Sequence, residues 1–174
     1  MFTPELLERA AALIALCRAR GVKVATAESC TGGLVAGLLT EIPGSSAAVE
    51  RGFVVYSNQA KQELLDVPAQ TLAAFGAVSQ ETARAMALGA IAHSHADFAV
   101  AITGVAGPDG GTLEKPVGLV HFACAGADGS VVALEKRYGA LSRTAIRLAS
   151  VGAALDLFEQ AARRGAVDQA GLRP

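Results

Sequence analysis

A chain of 174 residues has the size of one domain and is long enough to bury a substantial core. Hydrophobic residues make up 52% of it and charged residues 18%, which excludes a disordered chain, because water would expel too much of its surface. Against 16 acidic residues stand 15 basic ones, a net charge of −1 with no block of either sign, so neither a nucleic acid nor a membrane is expected as partner.

At the amino terminus Thr3-Pro4-Glu5 offers a cap with proline at the first helical position. Leu6, Leu7, Ala10, Leu13, Ile14 and Cys17 then recur at helical spacing up to Gly21, which predicts an amphipathic helix lying on a sheet. Residues 22–26 read as a first strand, 31–39 as a short helix, 52–56 as a second strand and 58–65 as another short helix. Ser79-Gln80-Glu81-Thr82 opens a longer helix through Met86 and Ile91. Residues 98–103, Phe-Ala-Val-Ala-Ile-Thr, are apolar almost throughout, as in a strand covered on both faces. Residues 118–125 and 130–138 alternate more and flank Gly126-Ala127-Asp128-Gly129, a hairpin turn by composition. Ser142-Arg143-Thr144 opens a last helix reaching about Arg163. Helix and strand alternate at first and two strands then follow one another. The expected fold is therefore α/β, a three-layer α/β/α domain over 1–164 with a mixed, mostly parallel sheet of about five strands and a flexible tail over 165–174.

The cysteines, Cys17, Cys30 and Cys124, include no C-x-x-C pair, so neither a disulfide framework nor a zinc site is expected, and a reducing cytoplasm fits best. No basic leader opens the chain, and apolar runs break well short of the roughly 18 residues of a spanning helix. His93-Ser94-His95 has no evident third ligand, and no metal is expected there. The apolar content leaves surface for a second copy, most simply a homodimer.

Ligands of open α/β sheets bind beyond the carboxyl ends of parallel strands, which directs attention to three segments. Ala27-Glu28-Ser29-Cys30-Thr31-Gly32-Gly33 is a strand-to-helix turn with a hydroxyl, a thiol and two glycines that admit a ligand to the backbone. Tyr56-Ser57-Asn58-Gln59-Ala60-Lys61 leads from a strand ending in Tyr56 into a helix, and Thr103-Gly104-Val105-Ala106-Gly107-Pro108-Asp109-Gly110-Gly111 follows the most apolar strand. Each also has a plain structural reading: Ser29 as a helix cap, Lys61 as a solvated helix residue, Tyr56 as packing, and the glycines as a surface turn. The phosphate loop G-x-x-x-x-G-K-[ST], the dinucleotide fingerprint after the first strand and the G-x-S-x-G elbow are all missing.

These segments, together with Gly76-Ala77-Val78-Ser79 and Lys115-Pro116-Val117-Gly118, occur in the order and spacing of the CinA C-terminal domain family, also known as nicotinamide-nucleotide amidohydrolase or NMN deamidase, which the chain resembles from about Leu6 to Ala162. Larger members carry a further amino-terminal domain, and this chain is similar to the stand-alone form. The resemblance implies hydrolysis of the carboxamide of nicotinamide mononucleotide to nicotinate mononucleotide and ammonia, a step of pyridine nucleotide salvage, with no cofactor. It implies Ser29 as nucleophile, completed by Tyr56 and Lys61, and substrate contacts at Cys30, Thr31, Gly32, Thr103, Gly104 and Arg143. The arginine commonly follows Gly-Asp in the family and follows Leu141-Ser142 here, where Ser142 still offers a helix cap.

Such chemistry suits these residues. An amide is a poor electrophile with a poor leaving group, so Ser29 needs a base and the tetrahedral oxygen needs donors. A lysine of ordinary pKa about 10.4 becomes that base if its pKa falls toward ~7–8, a shift expected from apolar walls and Arg143. Neutral Lys61 would take the Ser29 proton directly or through the Tyr56 hydroxyl, and amides at the start of the helix from Thr31 would hold the oxygen. Cys30 is the rival nucleophile. Two other readings stay open at this point: a catalytically silent nucleotide-binding or interaction module, and an amidohydrolase for another small amide.

Overall fold

The computed structural model describes residues 2–139 and 141–170. Helix α1 (Pro4–Arg20) starts as expected, the Thr3 hydroxyl accepting from the Leu6 amide at 3.3 Å. It stops at Gly21, in the left-handed region at φ 65°, and the amides of Gly21 and Val22 bond back to Arg18 and Cys17. That capping keeps Val22 out of the sheet, so β1 spans Val24–Glu28 rather than 22–26. Helix α2 (Leu34–Glu41) and a short 3₁₀ turn (Ser45–Ala47) lead to β2 (Val49–Val54), which lies nearer the amino terminus than the expected 52–56 and leaves Tyr56 beyond the strand. Next come α3 (Asn58–Leu65), α4 (Ala69–Phe75), which the sequence reading did not foresee, and α5 (Gln80–Ala92), whose cap Ser79 accepts from the Thr82 amide at 3.1 Å. His93 therefore follows α5 rather than lying within it, with Nε2 2.6 Å from Asp66.

Strands β3 (Phe98–Gly104), β4 (Leu119–Gly126) and β5 (Val131–Arg137) fall within a residue or two of expectation at each end. The hairpin between β4 and β5 closes through the Gly126 amide on the Ser130 carbonyl at 2.9 Å. Helix α6 (Arg143–Ala170) continues past its expected end near Arg163 and into the span 165–174 expected as a tail; residues 171–174 lie outside the described residues. No helix among the described residues is long and apolar enough to cross a membrane.

The sheet order is β2-β1-β3-β4-β5, with β1 parallel to β2 and β3, and β4 antiparallel to β3 and β5. The chain leaves β1 on one side to form β2 and returns on the other to form β3, so the crevice beyond the carboxyl ends of β1 and β3 is the topological switch point where such sheets bind ligands.

The two faces differ. Val24, Val100, Ile102, Val120 and Phe122 point to one side, under α1, α2 and α6, where each fully buried Leu, Ile or Phe contributes about 1.5–3 kcal/mol. Ala25, Ala27, Ala99, Ala101, Ala123 and Ala125 point to the other. Their methyls let α5 lie close, with its own Ala83, Ala87 and Ala90 buried against them.

Candidate active site

Ser29 follows β1 directly. Its amide donates to the Ile102 carbonyl of β3 at 2.9 Å, and its carbonyl accepts from Gly32 at 3.1 Å. The turn then passes through Gly32 and Gly33 at φ 60° and 93°, a region that favours glycine. That delays α2 to Leu34, where 31 was expected. The cap of α2 is not Ser29 but Glu28, whose fully buried carboxylate accepts from the amides of Gly33 at 3.0 Å, Val35 at 3.1 Å and Ala36 at 2.9 Å. Sequence reasoning assigned Glu28 no role. The signal was an acidic residue closing a strand just ahead of a helix, whose N-terminal amides and dipole favour a carboxylate. Glu28→Ala strips three charge-assisted bonds from a buried helix end and is expected to lower the unfolding free energy in urea by about 3 kcal/mol; a loss under about 1 kcal/mol would refute the capping role.

Helix α3 is capped by Ser57, whose Oγ accepts from the Ala60 amide at 3.0 Å, and this start places Lys61 one turn in, pointing under the sheet edge. Lys61 is 1% exposed, against the ordinary expectation of a solvated lysine. Its Nζ lies 3.0 Å from Ser29 Oγ, 2.9 Å from the Val55 carbonyl and 3.3 Å from the Tyr56 carbonyl. Burial holds its pKa below the ordinary lysine value, with the neighbouring Cys30 opposing the shift. Apolar walls are thus the cause, as expected, and Arg143 is not. A neutral amine has two N–H groups and one lone pair. As an ammonium Nζ donates to Ser29 Oγ and to both carbonyls; once neutral, it would keep the two carbonyls and turn its lone pair to the Ser29 hydroxyl.

Tyr56 is 62% exposed, and its hydroxyl accepts from Arg143 Nη2 at 3.2 Å. It does not stand between Lys61 and Ser29, which meet directly; its carbonyl instead helps hold Lys61. Arg143 occupies the first position of α6, and Ser142 Oγ accepts from the Ala145 amide at 3.2 Å, so the start of this helix is capped despite the departure from Gly-Asp. Arg143 Nη1 also donates to the Gly107 carbonyl at 2.7 Å, drawing the glycine-rich loop over the crevice. Thr103 donates through Oγ1 to the Ala77 carbonyl at 2.7 Å. Gly104 packs so closely on β4 that a Cβ would lie 2.7 Å from the Leu119 carbonyl.

These residues enclose a cavity of about 200 Å³ lined by Ser29, Cys30, Tyr56, Lys61, Thr103, Gly104 and Arg143, with Ala77, Val78 and Ala106 in addition. Thr31 and Gly32, expected at the substrate, are not among its walls; Thr31 is buried behind the turn. Ala77 and Val78 lay within the Gly76–Ser79 motif, but small apolar side chains give no chemical signal. Cys30 is 6% exposed, and burial pushes its pKa up to about 12, so the thiol keeps its proton and is a poor nucleophile near neutral pH.

Fold and site together define a three-layer α/β/α protein with a buried serine–lysine pair at the switch point of its sheet. The chain belongs to the CinA C-terminal domain family, whose profile matches residues 7–162. It is 52% identical over 134 residues to the nicotinamide-nucleotide amidohydrolase PncC of Enterobacter agglomerans, covering 77% of this chain and 81% of that protein. To the protein of the same name in Escherichia coli strain K12 it is 46% identical over 160 residues, 92% of this chain and 96% of the relative. The crystal structure of the competence/damage inducible protein CihA from Agrobacterium tumefaciens superposes with a TM-score of 0.91 at 53% identity, covering 92% of this chain and 98% of that one.

Proposed function

We propose that this chain hydrolyses the carboxamide of nicotinamide mononucleotide to nicotinate mononucleotide and ammonia through an acyl-enzyme on Ser29. The observation that carries the chemistry is Lys61 Nζ at 3.0 Å from Ser29 Oγ, with its other bonds going to two carbonyls. The substrate class is supported by the relatives named as nicotinamide-nucleotide amidohydrolases.

Neutral Lys61 accepts the Ser29 hydroxyl proton as Oγ attacks the carboxamide carbon. Because Glu28 occupies the amides of Gly33, Val35 and Ala36, the donor for the tetrahedral oxygen comes from earlier than the helix start, from the amide of Cys30, which lines the cavity beside Ser29. Collapse breaks the C–N bond, and the proton held by Lys61 leaves with ammonia. Water then attacks the ester, its proton passes to Lys61 and on to Ser29 Oγ, and nicotinate mononucleotide departs. Arg143, at the cavity mouth beside the loop it holds, supplies the cation for the phosphate, with Tyr56 alongside.

Ammonia release from nicotinamide mononucleotide, its riboside and free nicotinamide tests the reading. The mononucleotide should exceed the riboside in kcat/KM by about 100-fold, the scale of one charge-assisted phosphate contact. Equal turnover of all three would point to another small amide, and binding without ammonia release to a silent module.

A further inference from the structure

One turn after Arg143, α6 carries a second arginine that the reaction above does not use. Arg147 Nη2 donates to the Thr31 carbonyl at 2.8 Å, and a Cβ on Gly32 would lie 3.4 Å from the same nitrogen. Arg147 is absent from the cavity walls, so it meets the turn from behind. Its Nε and Thr31 Oγ1 are buried with no hydrogen-bond partner among the described residues, which makes the Nη2 contact the bond that joins the two side chains' elements.

Glu28 secures the far end of the turn at Gly33, Val35 and Ala36, while the near end is closed by the Gly32 amide on the Ser29 carbonyl at 3.1 Å and, at a longer 3.4 Å, by the Leu34 amide on the Thr31 carbonyl. Across these two glycines with left-handed backbone, the 2.8 Å bond from Arg147 to the Thr31 carbonyl is shorter than the one from Leu34 and reaches it from α6, outside the turn. We propose that Arg147 is a positioning residue which, through the Thr31 carbonyl, holds the turn so that the Cys30 amide meets the tetrahedral oxygen that forms on Ser29. This rests on Ser29 being the nucleophile. Donors aimed at a transition state lose their value when displaced by about 1 Å, while substrate bound by the cavity walls is scarcely affected.

The test compares wild type, Arg147→Ala and Arg147→Lys in steady-state hydrolysis of nicotinamide mononucleotide. Each is also titrated with 3-pyridineboronic acid, whose boron adds Ser29 Oγ to give a tetrahedral mimic of the intermediate. Arg147→Ala should lower kcat by roughly 30–100-fold, leave KM within about threefold, and weaken the boronate in proportion to kcat. Arg147→Lys, which keeps a cation but not the fork, should recover part of the loss. Unchanged kcat, or kcat and KM falling with no loss of boronate affinity, overturns the assignment. If Arg147→Ala does not fold, the kcat-against-KM split in Arg147→Lys decides in the same way. A fluorophosphonate probe mapped to its peptide in wild type separates the two readings: failure to label Ser29 removes the nucleophile and the Arg147 proposal with it, whereas labelling with unchanged Arg147 variants removes the latter alone.

Discussion

Ser29→Ala is expected to lower ammonia release from nicotinamide mononucleotide by at least about 10⁴-fold, while Cys30→Ala stays within a few-fold of wild type. The contrast follows from two neighbouring side chains in opposite surroundings. Ser29 Oγ lies 3.0 Å from a buried amine whose pKa is lowered by burial, and Cys30 faces the core on the α6 side with a thiol pushed up to about 12. Removing the hydroxyl takes away the atom that carries the acyl group, and no nearby thiolate replaces it. Cys30→Ala deletes one sulfur from a tightly packed layer, and its effect belongs to stability, about 1–2 kcal/mol. Turnover surviving in Ser29→Ala but abolished in Cys30→Ala would transfer the nucleophile to sulfur.

Lys61→Met should cost roughly 10³-fold or more in kcat, and it should also change how stability responds to pH. In the fold Lys61 releases its proton at a pH below the ordinary lysine value of 10.5, because burial opposes its charge. Between the two pKa values the unfolded chain holds a proton that the folded chain has lost, so unfolding free energy rises with pH across that window and levels off above it. Cys30 and Cys17, pushed up to about 12 and about 11, act in the opposite sense above their ordinary value of 9.0. The wild-type curve mixes these contributions, and the difference between wild type and Lys61→Met isolates the lysine. Urea unfolding from pH 6 to 10 should show a difference that grows with pH in favour of wild type. A flat difference would mean that Lys61 is charged in the fold, and its role as base would fall. In activity, kcat/KM should rise with pH through the depressed pKa to a plateau.

Much of this was legible in the sequence, for physical reasons that differ by element. Strand β3 is buried along most of its length, so its apolar run announces it, and β4 was found beside the glycine-rich turn that joins it to β5. The first half of β2 was hidden because it is an edge strand bearing Glu50 and Arg51, which pair with each other at 2.6 Å on the exposed side. Strand β1 was displaced by the capping of Val22, and α2 by the left-handed turn through Gly32 and Gly33. The Ser29 and Lys61 positions were visible through their motifs, but their contact spans 32 residues and depends on the register of β1 against β2, which local pattern does not encode. For the Ser29 proton the sequence left open both direct transfer to Lys61 and a relay through the Tyr56 hydroxyl. The fold turns that hydroxyl toward Arg143 and uses the Tyr56 carbonyl instead.

The alanine face of the sheet makes the width of the cavity a structural dimension rather than a local choice. Helix α5 rests on methyl groups, and the segment at its start, from Gly76 to Ser79, supplies the Ala77 and Val78 wall and takes the Thr103 hydroxyl. A larger residue at Ala101 or Ala123 has nowhere to go within a layer one methyl thick, so it lifts the helix and carries the wall outward with it. A substitution in that layer therefore reaches the cavity through the core, far from any reacting atom, and molecular recognition shifts as a by-product of packing.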